Sequence, residues 1–143
     1  MIIPFWIQYH MKKLSPNSPC PCGSRIKYKK CCQRYHNGAM PKTAEELMRS
    51  RYSAFAVGDS RYIIQTTHPD HPEYSSNTKS WTTDIDNFCK FTEFLGLDIL
   101  EFVDGDMEAY VTFEAHLSSG LMREKSRFLK VDGRWLYENG DIQ

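Results

Sequence analysis

The sequence predicts an α+β fold in which a small cysteine-bearing module precedes a larger domain. Four of the five cysteines lie within the thirteen residues from Cys20 to Cys32. The middle of the chain has three stretches with helical patterning, and the last third alternates apolar and polar residues between turn signals. Helices followed by an antiparallel meander make an α+β domain.

The composition allows one ordinary domain plus a small module. The chain has 143 residues, of which 41% are hydrophobic and 25% charged. No stretch reaches the ~18 to 20 apolar residues that span a bilayer. We expect residues 1–18 to be a disordered leader, with translation starting at Met1 or Met11, because Lys12 and Lys13 follow the apolar run, the reverse of a secretory signal. A weak interfacial anchor is the alternative, and we expect a cytoplasmic protein.

The zero net charge conceals a strong asymmetry. Residues 1–44 contain eight Lys or Arg and no acidic residue, whereas residues 45–143 have a net charge of −8. A change of sign at one point in the chain suggests two units with different partners. The basic unit is the one that would approach phosphates or an acidic protein surface.

The cysteine spacing favours a metal site over disulfides. Cys20 and Cys22 are separated by one residue, and Cys31 and Cys32 are adjacent, so bridges within either pair would form strained rings. Four thiolates converging on one tetrahedral ion tolerate this spacing, and a filled tetrahedral shell makes a zinc site structural rather than catalytic. An iron–sulfur cluster and a redox role are the alternatives.

The run CPCGSRIKYKKCC, which begins at Cys20, resembles the SEC-C motif found at the C-terminus of the translocation ATPase SecA. Cysteine occupies the last position, where that family has His or Cys. The resemblance implies a module over residues 19–38 with zinc at all four cysteines. Because the SecA module contacts a chaperone and the ribosome, the resemblance also implies a docking face, formed by Arg25, Lys27, Tyr28, Lys29 and Lys30.

Three helices are predicted after the module. Thr43 and Glu46 have the spacing of a capping box, which opens a helix that continues to Val57 and ends at Gly58. The later expectations are a helix over 60–67, a loop over 69–80 and a short helix over 83–91.

Four strands are predicted in the remainder of the chain. Alternation is clearest over 107–117, where every second residue is apolar. Asp104-Gly105 and Asp132-Gly133 are turn signals. The predicted strands cover 93–103, 107–117, 121–131 and 134–138.

The second unit, over residues 41–143, resembles the nuclear transport factor 2-like (NTF2-like) cone, in which a curved sheet wraps around helices and encloses a pocket. A closer resemblance is to the uncharacterised YchJ-like family of bacterial proteins. The segments that carry it lie at 47–55, 67–69, 93–97, 124–130 and 133–137.

Candidate pocket residues follow from the predicted strand facing. If Phe128 faces the core, Glu124 and Ser126 point to the concave side, where a carboxylate needs a partner, and Arg51 is the candidate. A structural Arg51–Glu124 pair is favoured over ligand binding or acid–base use. The other candidates are His68 and Trp81. We expect His36 and His71 to be solvated and Cys89 to be a buried apolar residue.

No catalytic nucleophile motif, phosphate loop or nucleotide fingerprint is present. The favoured function is therefore a non-catalytic, zinc-binding adaptor whose SEC-C module docks on a protein or ribosomal surface. One alternative is a pocket enzyme or small-ligand binder that uses Glu124, Arg51 and His68. Another is a nucleic-acid binder that uses the basic segment 12–34.

Overall fold

The computed structural model describes residues 14–143 and has the α+β architecture that the sequence predicts. Residues 1–13, and with them most of the expected leader, lie outside the described residues. The elements are a 3-10 turn (Tyr28–Lys30), helices α1 (Cys32–His36), α2 (Ala44–Val57), α3 (Ser60–Gln65) and α4 (Thr78–Phe91), and strands β1 (Phe94–Val103), β2 (Glu108–Leu117), β3 (Gly120–Val131) and β4 (Arg134–Ile142). The strands form one antiparallel sheet in the order β1-β2-β3-β4.

Helix α2 begins and ends where the sequence predicts. The Thr43 hydroxyl accepts a hydrogen bond from the Glu46 backbone N–H at 3.1 Å, and Gly58 ends the helix in the left-handed region with φ of 80°. The Glu46 carboxylate makes different contacts from those of a full capping box. It accepts hydrogen bonds from the Lys42 N–H at 3.0 Å and from the Tyr35 hydroxyl at 2.8 Å. Glu46 thereby ties α1 to the start of α2.

Helix α4 is longer than predicted, and the prediction of a loop up to residue 80 is wrong. The Asn77 side chain accepts a hydrogen bond from the Ser80 N–H at 3.1 Å, which caps a helix that starts at Thr78. Trp81, Ile85 and Cys89 are all buried at four-residue spacing, so the apolar stripe extends one turn further than expected.

The sheet has one buried face and is bent. The alternate residues of β2 from Ala109 to Leu117 are buried, as predicted. Irregular register in β1, and in β4 at Glu138 opposite Arg127 and Phe128, gives the local bending that β-bulges produce. Asp132 and Gly133 both have positive φ, as a two-residue type I′ hairpin turn requires. β4 continues to Ile142, four residues beyond the predicted end.

Helix α2 packs against the concave face of the sheet and fixes the irregularity in β1. The Tyr52 hydroxyl donates to the Gly96 carbonyl at 2.9 Å and accepts from the Gly96 N–H at 3.0 Å. The backbone N–H and C=O groups of Gly96, at the irregular point of β1, are therefore both hydrogen-bonded by one side chain. Among residues 14–143, no helix has the length and apolar character needed to cross a bilayer.

We expect Thr43→Ala to lower the free energy of unfolding by about 1 kcal/mol, because the N-terminus of α2 loses its side-chain acceptor. Urea denaturation measures the change. Thr83→Ala is the control, since Thr83 is exposed within α4 and caps no helix, and it should cost less than about 0.5 kcal/mol. Equal costs for the two variants would contradict the capping role.

Candidate metal centre and cone cavity

The four clustered cysteines form a compact site. The sulfur atoms of Cys20, Cys22, Cys31 and Cys32 all lie within 4.8 Å of one another, and all four residues are buried. The Cys22 and Cys31 sulfurs are 3.6 Å apart, and those of Cys31 and Cys32 are 4.0 Å apart. A tetrahedral ion with Zn–S bonds of ~2.3 Å would separate its sulfur ligands by about 3.8 Å. The cluster therefore fits a single metal ion.

A short hairpin brings the two cysteine pairs together. The Cys20 N–H donates to the Ile26 carbonyl at 2.8 Å, and Pro19 and Lys27 form an antiparallel bridge. Gly23 and Arg25 turn the chain in the left-handed region, with φ of 81° and 68°. The 3-10 turn that follows presents Cys31, and α1 begins at once with Cys32.

Residues 15–18 belong to this module, so the prediction of a leader extending to residue 18 is wrong. The Tyr28 N–H donates to the Ser18 carbonyl and the Lys29 N–H to the Pro16 carbonyl, both at 2.9 Å. These backbone bonds extend the hairpin toward its N-terminal side. These bonds could not be predicted from local patterns, because they join residues ten or more positions apart.

The cysteine-bearing module packs against α2. The Cys20 sulfur lies 3.3 Å from the Ser53 hydroxyl, and the Arg49 guanidinium donates to the Cys22 carbonyl at 2.8 Å. A Cβ atom added at Gly23 would lie 2.9 Å from the Leu97 carbonyl oxygen of β1. The larger domain therefore holds the cysteine loop by direct contacts from α2 and β1.

His36 connects the module to α2 and is buried, which corrects the expectation that it is solvated. Its Nε2 lies 2.8 Å from the Ser50 carbonyl and its Nδ1 lies 2.6 Å from the Tyr28 hydroxyl. Because a carbonyl only accepts, Nε2 carries the proton and the Tyr28 hydroxyl donates to Nδ1. Burial lowers the pKa of His36, which favours this neutral tautomer.

Tyr28 is also a correction. We expected its ring on the docking face, but it is only 6% exposed and its hydroxyl is bonded to His36. The aromatic residue of the motif is thus part of the core of the module. The other expected docking residues, Arg25, Lys27, Lys29 and Lys30, are exposed.

Hydrogen bonds among the four thiols change their pKa values. Hydrogen bonds from Cys20 and Cys32 hold the pKa of Cys22 far below its usual range, and the same exchange of hydrogen bonds raises the pKa of Cys32. Burial raises the pKa of Cys31 to about 11. One thiolate is therefore favoured, but further thiolates crowd negative charge in a buried space, and a divalent cation offsets that charge.

A second feature is a cavity of about 760 Å³ between the helices and the concave face of the sheet. Four of the five predicted pocket residues line it: Arg51, Trp81, Glu124 and Ser126. His68 does not, because its Nδ1 accepts a hydrogen bond from the Asp70 N–H of its own turn at 3.0 Å. His71, which we expected in solvent, is half-buried and lines the cavity.

Arg51 and Glu124 do not form the expected ion pair. The Arg51 Nη1 donates to the Ile63 carbonyl at 3.1 Å, to the Thr66 hydroxyl at 2.7 Å and to the Thr67 hydroxyl at 3.1 Å. Its guanidinium lies 4.7 Å from the centre of the Tyr137 ring. Burial lowers the pKa of Arg51 to about 10, so it remains protonated at neutral pH.

Tyr137 contacts both Arg51 and Glu124. Its hydroxyl donates to Glu124 Oε2 at 2.8 Å, and Ser126 donates to the same oxygen at 2.5 Å. Gly140 leaves the space for this arrangement, because a Cβ atom there would lie 2.6 Å from the Tyr137 hydroxyl and closer still to the Glu124 carboxylate. Sequence reasoning missed the roles of Arg49, Ser53 and Gly140, since no local pattern marks these long-range contacts.

The comparisons with known proteins match both parts of the chain. The family model described as the YchJ middle NTF2-like domain covers residues 43–140, and the SEC-C motif covers residues 17–34. A UPF0225 protein of Streptomyces coelicolor is 43% identical, in an alignment that covers 89% of this chain and 98% of the relative. One from Corynebacterium glutamicum is 41% identical, with 86% and 96% covered.

Two solved structures are similar over most of the chain. The solution structure of a SEC-C motif containing protein from Rhodopseudomonas palustris has a TM-score of 0.75 and 29% identity, and the match covers 87% of this chain and 98% of that one. The crystal structure of one from Psychrobacter arcticus also has a TM-score of 0.75, with 28% identity and coverage of 92% and 86%. The predicted fold and both resemblances are confirmed.

We expect Gly23→Ala to loosen the module and to weaken its retention of metal, because the new Cβ atom meets the Leu97 carbonyl and φ is positive. The matched control is Gly38→Ala, where φ is also positive (116°) but no heavy atom lies within 4 Å of the added Cβ. A chelator competition assay compares metal retention in the two variants. Equal retention would mean that the contact with β1 does not position the cysteine loop.

Proposed function

The chain belongs to the UPF0225 family of YchJ-like proteins with a SEC-C motif, and on this premise we propose that it is a non-catalytic, zinc-stabilised binding protein. In this proposal the metal holds the N-terminal module in shape, and the exposed basic surface of the module docks on an acidic protein or ribosomal surface.

The observation that carries the proposal is the closed cysteine cluster. Four buried sulfur atoms within 4.8 Å of one another fill a tetrahedral shell and leave no position for water or substrate. A site of this kind stabilises a fold and supports no metal-based catalysis. The module is too small to bury a core of its own, so metal binding contributes to its folding free energy.

Zinc is the metal that this donor set favours. Four thiolates in a compact tetrahedral arrangement suit Zn²⁺, whereas an iron–sulfur cluster would have to accommodate several ions between the same sulfurs. The cysteines are free thiols and not disulfides, which fits a reducing compartment, and we place the protein in the cytoplasm on that basis.

The docking surface is defined by charge. Four basic side chains of the cysteine-bearing module are exposed, namely those of Arg25, Lys27, Lys29 and Lys30. Residues 1–44 contain no Asp or Glu that could neutralise them. Since Tyr28 is buried, the surface offers basic side chains rather than an aromatic stacking platform. Such a surface suits an acidic patch on a protein or on a ribosomal surface.

Nucleic acid is the alternative partner, and the exposed lysines of the segment 12–34 are the observation that favours it. Two of the basic residues of that segment, Lys12 and Lys13, lie outside the described residues. Contacts with phosphates release counterions, so binding to nucleic acid would weaken steeply with added salt. A mainly protein-based contact would show a shallower dependence.

We expect the purified protein to contain about one zinc ion per chain, as a single tetrahedral site requires, and Cys32→Ser to lose most of this metal. Elemental analysis after dialysis against a weak chelator measures the content. Cys89→Ser is the matched control, because Cys89 is buried in α4 outside the cluster and should leave the zinc content unchanged. Full zinc occupancy in Cys32→Ser would contradict the four-cysteine site.

We expect reversal of two charges, Lys27→Glu with Lys30→Glu, to abolish capture of acidic partners or ribosomes from a bacterial lysate while the zinc content is retained. The control reverses two exposed charges of the larger domain, Lys79→Glu with Arg134→Glu. Both double variants change the net charge by the same amount, so only the location differs. Equal capture by the two variants would contradict a docking role for the module.

A further inference from the structure

We propose that the cone cavity binds a small organic cation, namely a protonated amine or guanidine carried on an apolar, preferably aromatic, body. This inference does not depend on the docking function proposed for the basic module. The cavity volume of about 760 Å³ lies in the range of small-molecule sites, roughly 300–1,000 Å³. Its lining determines which chemistry the ligand must have.

At Glu124, the polar end of the cavity offers a hydrogen-bond acceptor. The hydroxyl protons of Ser126 and Tyr137 are both directed to Glu124 Oε2. Within residues 14–143, the other carboxylate oxygen of Glu124 accepts no hydrogen bond from the protein. A ligand that reaches this carboxylate must therefore donate a hydrogen bond, as an ammonium or guanidinium group does.

Arg51 is held in place through one of its guanidinium nitrogens. Its Nη1 is used by the Ile63 carbonyl and the two threonine hydroxyls at the end of α3, and one face of the guanidinium is covered by the Tyr137 ring. Arg51 thus holds α3 and the Tyr137 ring in place. Within residues 14–143, Nη2 and Nε of Arg51 make no hydrogen bond, so a ligand anion is opposed by the surplus of carboxylates around the cavity and not by a lack of donors.

The sum of charges around the cavity is negative. Among residues 14–143, three carboxylates line the cavity, those of Glu124 and of the exposed Glu73 and Asp84, and Arg51 is the one positively charged side chain in this lining. Burial lowers the pKa of His71, so its ring is uncharged at neutral pH. A cavity with walls of low dielectric concentrates this negative potential and attracts cations.

Aromatic rings form much of the remaining wall. Those that line the cavity include Tyr52, Phe88, Phe94, Phe113 and Trp81. Ring faces attract an organic cation by cation–π interaction, and they also bury the apolar body of the ligand. The combination of aromatic walls with a carboxylate at one end is therefore suited to an amine with an apolar tail.

The test uses three probes that share one body and differ in the head group: 2-phenylethylamine, 2-phenylethanol and 3-phenylpropionate. Isothermal titration calorimetry with the intact, metal-loaded chain measures their affinities. We expect the amine to bind at least about ten-fold more tightly than the alcohol, and the carboxylate to bind more weakly than both, because only the amine contributes a charge-assisted hydrogen bond.

Two variants locate the binding. Glu124→Gln should lower the affinity for the amine by about ten-fold or more and leave the affinity for the alcohol nearly unchanged. Asp84→Asn should lower the affinity for the amine by a smaller factor. Asp84 is an exposed residue of α4, so we expect this variant to fold. Glu101→Gln is the matched control, because Glu101 is exposed on β1 and does not line the cavity, and it should bind as the unaltered chain does.

Circular dichroism and zinc content establish that each variant is folded before its affinity is compared. Tighter binding of 3-phenylpropionate than of 2-phenylethylamine would overturn the proposal, and so would an absence of amine binding at millimolar concentration. Equal amine affinities of Asp84→Asn, Glu101→Gln and the unaltered chain would overturn it even if Glu124→Gln failed to fold.

Discussion

The contact between the cysteine loop and helix α2 is the constraint on which the rest of the structure depends. Arg49, Ser50 and Ser53 of α2 bind the Cys22 carbonyl, the His36 ring and the Cys20 sulfur, respectively. The opposite face of the same helix is turned to the cavity. Its residues at positions 48, 51, 52 and 55 line the cavity, at the spacing of one helical face. One helix thus supports the metal module on one side and shapes the cavity on the other.

This arrangement gives the charge asymmetry of the sequence a physical meaning. The basic residues are concentrated around the metal loop, whereas carboxylates predominate around the cavity. Because α2 lies between them, the two surfaces do not neutralise each other by direct ion pairing. In our two proposals, the chain therefore presents one surface for an acidic partner and a separate concave site for a cation, although its net charge is zero.

Features encoded by local patterns were predictable from the sequence, and those encoded by distant contacts were not. The clustering of the four cysteines, the caps of α2 and the alternating strand β2 each depend on neighbouring residues, so spacing and residue type were sufficient. Tyr28 and His36 were misplaced because their burial depends on the Ser50 carbonyl and the Tyr62 ring. Arg51 was paired with the wrong group because two threonine hydroxyls and a carbonyl at the end of α3 compete successfully for its protons. No pattern along the chain shows such a competition.

A metal ion at the four cysteines would also help the larger domain to tolerate a cavity. Side chains around an empty volume lose packing contacts on one side, and this lowers the stability of the core. Metal binding acts in the opposite direction, because it orders the cysteine loop against α2, and a ligand that binds the folded state alone stabilises that state. The contacts of Arg49, Ser50 and Ser53 carry this stabilisation into the helix that forms one wall of the cavity. A metal-dependent module placed on this helix would therefore offset the cost of the cavity, and it would do so without side chains that fill the space a ligand needs.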